Sequence, residues 1–314
     1  MRALAAQSLG PVSGLNIIDL PTPEAGPGQV RVKVAATSIN PADFKTLTGQ
    51  MSMLHSTGFP MVTGWDFSGT VDALGMGVEG LALGQSVFGF HRYSRSTKQG
   101  ALAEYTVAGA QTLALKPDSV GHDRAAAAAT TGVTALQALR GARTGPGCRV
   151  LITGASGGVG SIAIGVARRL GADVDALSSH AFIRPVADLG AEKVWDRGTR
   201  DWMSAQGLYD VILDAAAAYS YSSLRGLLKS GGRYITTLPK LSVLTDFFHS
   251  RLLGQSSRIV MVSPNRADLV QVAQWLENGL AVPIAEHYPL ERGAQAVARS
   301  AQSDYFGKLV VTVG

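Results

Sequence analysis

VLITGASGGVG, Val150 to Gly160, runs straight into SIAIGVARRLG, Ser161 to Gly171. An apolar strand here enters a glycine turn that opens a helix. A pyrophosphate needs that order. It must approach the backbone where only residues without bulk fit, and it must meet the free N–H groups at the positive end of a helix. Gly157 and Gly160 stand as the last two glycines of a G-x-G-x-x-G pattern, with Ala155 in the place of the first and Gly154 just before it. Val159, Ala163, Val166, Ala167 and Leu170 recur at helical spacing behind the turn, which lays the helix on a sheet and aims its N-terminus outward. The candidate cradle is therefore Ala155, Ser156, Gly157, Gly158, Val159 and Gly160. A bare glycine motif is weak evidence, so its surroundings decide.

Those surroundings alternate strand and helix. Strands are expected at Arg149 to Thr153, Asp173 to Leu177, Asp210 to Asp214, Arg233 to Thr237 and Arg258 to Val262. Helices are expected at Ser161 to Leu170, Ala181 to Leu189 and Ser222 to Lys229, the last closed by Gly231 and Gly232. Such alternation is the mark of a doubly wound parallel sheet, an α/β domain of Rossmann type. The chain before it reads differently. Gln29 to Ala36 alternates with Val30, Val32 and Val34 on one face, and apolar runs at Gly69 to Leu74, Ser86 to Phe90 and Ala103 to Ala108 are bounded by turn residues. That pattern predicts a β-rich domain with few helices. The alanine-rich stretch from Asp123 to Gly141 then favours helix, and the tail adds an amphipathic helix, Ala267 to Glu277, and a strand, Lys308 to Val313.

At 314 residues the chain is long enough for two domains. Its 46% hydrophobic and 16% charged residues suit a globular protein rather than a disordered one. No run approaches eighteen apolar residues, and MRALAAQSLG lacks an apolar core of signal-peptide length before Pro11, so no membrane partner and a cytoplasmic place are expected. The single cysteine, Cys148, excludes an intrachain disulfide and a cysteine cluster. The net charge of +5 comes from scattered basic residues with no aromatic interleaving, which argues against nucleic acid and suits a phosphorylated cofactor.

The strand after the glycine turn ends at Ser178, where NAD-specific proteins place an acid on the ribose diol. Asp175 lies three residues earlier, too soon to reach it. A carboxylate about 4 Å from an adenosine 2′-phosphate would repel each of its charges by roughly 4 kcal/mol at an effective dielectric near 20. Serine removes that repulsion. Ser178, Ser179, His180, Arg184 and Arg197 are accordingly the candidates for the 2′-phosphate of NADPH.

NPADFK (Asn40 to Lys45), GWDFSG (Gly64 to Gly69), TTGVTAL from Thr130, GASGGVG from Gly154 and the closing GKLV from Gly307 occur in this order over nearly the whole chain. Together they resemble the medium-chain dehydrogenase/reductase superfamily, most of all its zinc-independent quinone oxidoreductase branch. The resemblance implies a GroES-like β-rich catalytic domain at residues 1–120, a Rossmann NADP-binding domain at 121–264 and a return of 265–314 to the first, with the active site in the cleft. Zinc-dependent members place a cysteine near Pro41 to Asp43 and a His-Glu pair at Trp65-Asp66. Neither stands here, so no metal is expected. Without a Lewis acid the acceptor must take hydride by itself, as a quinone or enone does. Asn40 and Lys45 match positions lining the nicotinamide cleft, Thr131 matches a residue beside the nicotinamide, and Tyr93 lies in a loop, His91 to Lys98, where relatives often carry a proton donor. A homodimer through Arg258 to Val262 is implied as well.

DAAAAY, Asp214 to Tyr219, departs from the family in lacking a glycine, and Arg197 replaces an aromatic residue. Two other readings stay open: a reductase of enoyl thioesters or of a biosynthetic intermediate, its carrier met by Arg92, Arg95 and Lys98, and a non-catalytic NADP-binding redox sensor.

Overall fold

The computed structural model describes residues 1–51, 58–93, 99–237 and 243–314. The chain opens with β1 (Arg2–Ala6), β2 (Leu15–Asp19), β3 (Gln29–Ile39), a short helix α1 (Pro41–Leu47), β4 (Met61–Val62), β5 (Asp66–Leu74), β6 (Ser86–Phe90), β7 (Tyr105–Gly109) and β8 (Leu113–Leu115). The long helix α2 (His122–Gly141) leads to β9 (Arg149–Thr153), α3 (Gly158–Arg169), β10 (Asp173–Ser178), α4 (Ile183–Asp188), β11 (Lys193–Asp196) and β12 (Tyr209–Asp214). Then come α5 (Tyr221–Leu224), β13 (Leu228–Thr236), α6 (Val243–Leu252), β14 (Ser256–Ile259), α7 (Arg266–Glu277), β15 (Ile284–Pro289), α8 (Gly293–Arg299) and β16 (Lys308–Thr312).

Two compact units result. The first takes Met1–Val133, Ser263–Asp304 and Lys308–Gly314; the second takes Thr134–Val262 and Tyr305–Gly307. In the first, β3 is the spine of a sheet ordered β15-β16-β3-β5-β6-β8, with β7 also paired to β3, while β2-β1-β4 forms a smaller sheet. Val30, Val32 and Val34 are buried on one face of β3, as their alternation requires. The C-terminal strand β16 pairs antiparallel with β3, setting Leu309 opposite Ile39, so the last residues of the chain meet the segment that leads into α1.

In the second unit the order is β11-β10-β9-β12-β13-β14, and every pairing is parallel. Counted from β9 this is the doubly wound order 3-2-1-4-5-6, whose direction of winding reverses between β9 and β12. Strand β9 is central and sealed, with Val150, Leu151 and Ile152 all buried. Helix α3 buries Ile162, Ala163, Ile164, Val166 and Ala167. The alanines 125 to 129 of α2 are wholly buried, small side chains that allow close approach.

The expected helix from Ser222 to Lys229 is shorter than its pattern suggests. Helix α5 ends at Leu224, a 3-10 turn covers Arg225–Leu227, and β13 begins at Leu228. Gly231, at φ +75°, sits inside that strand rather than closing a helix. The ladder to β12 shifts register between Tyr209 and Val211, so the two glycines serve an irregularity of the strand. Strand β14, the expected pairing edge, lies at the margin of the sheet.

Candidate active site

The glycine turn leaves β9 at the point where the winding reverses. Gly154 has φ +66°, and a Cβ there would lie 2.6 Å from that of Ala216, so the turn after β12 enforces this glycine. Gly160 is enforced too, since its Cβ would come within 2.2 Å of the Gly154 carbonyl oxygen. Gly157 differs. Its φ of −81° suits any residue, and a Cβ would meet only the Gly154 oxygen, at 3.4 Å. Neither the backbone nor the protein's own packing asks for glycine at 157, whereas a phosphate drawn to the backbone would.

Gly157 is also the N-cap of α3 and brings no side chain to satisfy the first turn. The Ser161 N–H is the first to close on the helix, to Gly157 O at 2.9 Å, which leaves the N–H groups of Gly158, Val159 and Gly160 at the open end. Ala155 is sealed beneath the turn, its N–H on Leu177 O at 3.3 Å, and the Ser156 carbonyl accepts the Gly307 N–H at 2.8 Å. These residues fit a dinucleotide pyrophosphate.

Ser178 ends β10 with its hydroxyl buried, so it contributes the lack of a carboxylate rather than a contact. Ser179 is half-buried, and His180, Arg184 and Arg197 are exposed just beyond. One carboxylate was not foreseen. Asp196 pairs across the ladder with Ser178, and its Oδ2 lies 2.9 Å from His180 Nδ1. The Gly198 N–H first, and His180 second, hold it below the usual carboxylate range. Asp175 is taken up elsewhere, by Arg149 Nη2 at 2.9 Å and the Tyr209 hydroxyl at 2.9 Å.

In the first unit a polar cluster lies under β3, β5 and α1. Asn40 caps α1 and its N–H donates to Asp43 Oδ2 at 2.8 Å, while Asp43 Oδ1 accepts the Gly64 N–H at 2.6 Å. Burial pushes the Asp43 carboxyl up to about 7, against the pull of those two N–H groups. Asp66, also fully buried, accepts the Ser38 hydroxyl at 2.5 Å and Asn40 Nδ2 at 2.8 Å on one oxygen and the Thr130 N–H at 3.0 Å on the other. The Lys308 ammonium donates to Asn40 Oδ1 at 2.7 Å and Ile39 O at 2.8 Å and lies 3.4 Å from Asp66.

Asn40 is thus held at both ends of its carboxamide. Thr131 is buried and donates to Ala127 O at 2.6 Å. Lys45 is half-buried, and its ammonium bonds no described residue. Tyr93 packs on Trp65 with ring centroids 4.5 Å apart. Burial first, then the charges of Asp66 and Asp43, hold its phenol well above the usual tyrosine range, so it stays protonated and able to donate. Arg95 and Lys98 lie outside the described residues.

A Rossmann unit carrying this cradle, joined to a GroES-like unit, defines an oxidoreductase that works with a nicotinamide dinucleotide. The comparisons are specific. Residues 26–118 match the model for the alcohol dehydrogenase GroES-like domain, and residues 189–311 match the one for zinc-binding dehydrogenase. The chain is 28% identical to a chloroplast envelope quinone oxidoreductase homolog of Arabidopsis thaliana, over 99% of this chain and 98% of that protein. It is 32% identical to a 2-methylene-furan-3-one reductase of Solanum lycopersicum, over 91% of this chain and 71% of the relative. The solved quinone oxidoreductase of Coxiella burnetii superposes with a TM-score of 0.89 at 28% identity, covering 100% of this chain and 99% of the other. The chain belongs to the medium-chain dehydrogenase/reductase superfamily, in its quinone oxidoreductase-like branch.

Zinc is named for one matched model, so the donor set is the test. At Trp65 and Asp66, where the resemblance would place a zinc-dependent member's His-Glu pair, the indole packs on Tyr93 and the carboxylate is engaged by Asn40 and Lys308. Among the described residues no group of three or more His, Cys, Asp or Glu side chains is placed to hold a metal ion. These residues do not fit a catalytic zinc. No helix among the described residues is long and apolar enough to cross a membrane.

Proposed function

We propose that the chain is an NADPH-dependent, zinc-independent reductase of quinones or α,β-unsaturated carbonyl compounds. The observation that carries this reading is the commitment of the Asp66 carboxylate to Asn40 and to the Lys308 ammonium, which leaves it engaged inside the protein rather than open to a metal ion. With no Lewis acid, the acceptor must delocalise the incoming charge on its own conjugated carbonyl. The dinucleotide, when bound, supplies the hydride. The Tyr93 phenol and the Lys45 ammonium offer hydrogen bonds to the oxygen on which negative charge develops, and Asn40 keeps one amide hydrogen for the same use. For an enone, a proton from solvent then reaches the α-carbon. Ser178 in place of an acid and the exposed Arg197, Arg184 and His180 favour the phosphorylated cofactor.

The test is cofactor consumption with a panel of quinones and short enones. NADPH is expected to exceed NADH in kcat/KM, with Arg197→Ala raising the NADPH KM and Tyr93→Phe lowering kcat. Equal efficiency with both cofactors and an unchanged KM in Arg197→Ala would remove the NADPH assignment; turnover that requires bound zinc would remove the reading altogether. The position of β14 at the margin of the sheet among the described residues, and the exposed Leu252 and Met261 near it in sequence, favour a homodimer, which sedimentation of the same preparation should show at twice 32.7 kDa.

A further inference from the structure

Lys308 is given no contact with acceptor or cofactor above, yet it is only 4% exposed and makes some of the longest-range polar contacts in the chain. A buried ammonium persists only when its three hydrogens find acceptors. Here they find Ile39 O, Asn40 Oδ1 and Asp66 Oδ2. The groups facing it are Asp66 from β5, Asp43 and Asn40 at α1, and beyond the two carboxylates the Tyr93 phenol. Asp66 is the carboxylate in contact with this buried cation, and Asp43 adds a longer-range attraction.

The contacts run outward from that cation. By holding Asn40 Oδ1, the ammonium turns Asn40 Nδ2 onto Asp66 at 2.8 Å. With one oxygen of Asp66 occupied in this way, the other is left to the backbone N–H of Thr130 inside α2. The next residue is Thr131, the position read as lying beside the nicotinamide. We propose that Lys308 is a positioning residue: through Asn40 and Asp66 it locks the Thr130–Thr131 segment of α2 and the N-cap of α1 in the arrangement that the reaction requires. It touches no reacting atom. Its kinetic part rests on the reductase reading; its structural part does not.

Three variants test it: Lys308→Met, Lys308→Arg, and the double variant Lys308→Met with Asp66→Asn, which also removes the carboxylate left unpaired. Hydrogen exchange of the amides at Thr130 and Thr131 is measured without cofactor, and kcat, KM and the NADPH Kd are measured with a model quinone. Lys308→Met should speed exchange at those amides about tenfold. It should lower kcat about 100-fold while the NADPH Kd stays within about twofold, the pattern of misplacement rather than lost binding. Lys308→Arg should recover part of both losses, and the double variant should keep the low kcat. Wild-type exchange together with wild-type kcat in Lys308→Met overturns the proposal, as does full recovery of kcat in the double variant, which would reduce the lysine to a neutraliser of charge. If Lys308→Met does not fold, the double variant is read in its place. If the wild-type chain reduces no acceptor, the reductase reading fails and the exchange rates alone decide: faster exchange upholds the lock, and unchanged exchange overturns it.

Discussion

At Gly157 a methyl group would meet nothing closer than the Gly154 oxygen at 3.4 Å; at Gly160 it would lie 2.2 Å from that oxygen. The two glycines of one motif therefore answer to different demands. Gly157→Ala should leave the urea midpoint nearly unchanged yet weaken dinucleotide binding roughly tenfold or more, a loss of about 1.4 kcal/mol that calorimetry would register. Gly160→Ala should destabilise the fold by about 1–3 kcal/mol, because backbone must move. Asp43 supports a second prediction. Its carboxyl titrates at about 7 when folded and near 3.8 when unburied. Between those values the folded chain keeps a proton that the unfolded chain has released, so stability falls as pH rises through the window and is level above it. The urea midpoint of the wild type should show that decline, and Asp43→Asn, which cannot ionise, should lack Asp43's share of it. The glycines were legible in the sequence because their constraint is local. The Asn40–Lys308 contact joins positions 268 apart, and no spacing rule links GKLV to NPADFK. His180 and Asp196 meet only because two parallel strands bring their ends together, a register that the residues alone do not display.

Elements with strong periodicity emerged where the residues put them. β9 spans Arg149–Thr153 and β6 spans Ser86–Phe90, both as read. Short elements set by tertiary contact did not. Helix α1 follows from the Asn40 cap and Pro41 at its first turn, a signal that was present but read only as a motif. The strand β1, RALAA, has too few polar residues to alternate, because four of its five positions are buried. The turn after β12 shows a departure with a cost. Asp214 binds the N–H groups of Ala218 at 3.1 Å and Tyr219 at 2.9 Å, and it takes the hydroxyls of Thr153 at 2.7 Å and Tyr234 at 3.1 Å. That anchoring goes with Ala217 at φ +49°, the left-handed region that favours glycine. Ala217→Gly should therefore stabilise the second unit by roughly 0.5–1 kcal/mol, the strain relieved less the extra chain entropy of glycine, as read from the urea midpoint.

Across the whole molecule the positive charge is unevenly shared. In the Rossmann unit Lys and Arg clearly outnumber Asp and Glu, whereas in the GroES-like unit the two kinds are nearly balanced. The net charge of +5 thus belongs to the unit that holds the glycine cradle, where it can draw in a phosphorylated dinucleotide over distances beyond direct contact. Part of the attraction would be common to both nicotinamide cofactors, since each carries a pyrophosphate that the proposed cradle would hold at the N-terminus of α3. Part is peculiar to NADPH, whose 2′-phosphate would meet Arg197, Arg184 and His180 at the exposed end of β10, with Asp196 opposing them. Salt separates the two contributions, because surface charges are screened over about 10 Å at 0.1 M and about 3 Å at 1 M. Raising the ionic strength should weaken both cofactors, and NADPH by a visibly steeper slope of log Kd against log salt concentration. Arg197→Ala should bring the NADPH slope toward that of NADH. Parallel slopes in the wild-type chain would mean that no exposed cation reads the 2′-phosphate, and the serine at position 178 would then have to explain any preference for NADPH by itself.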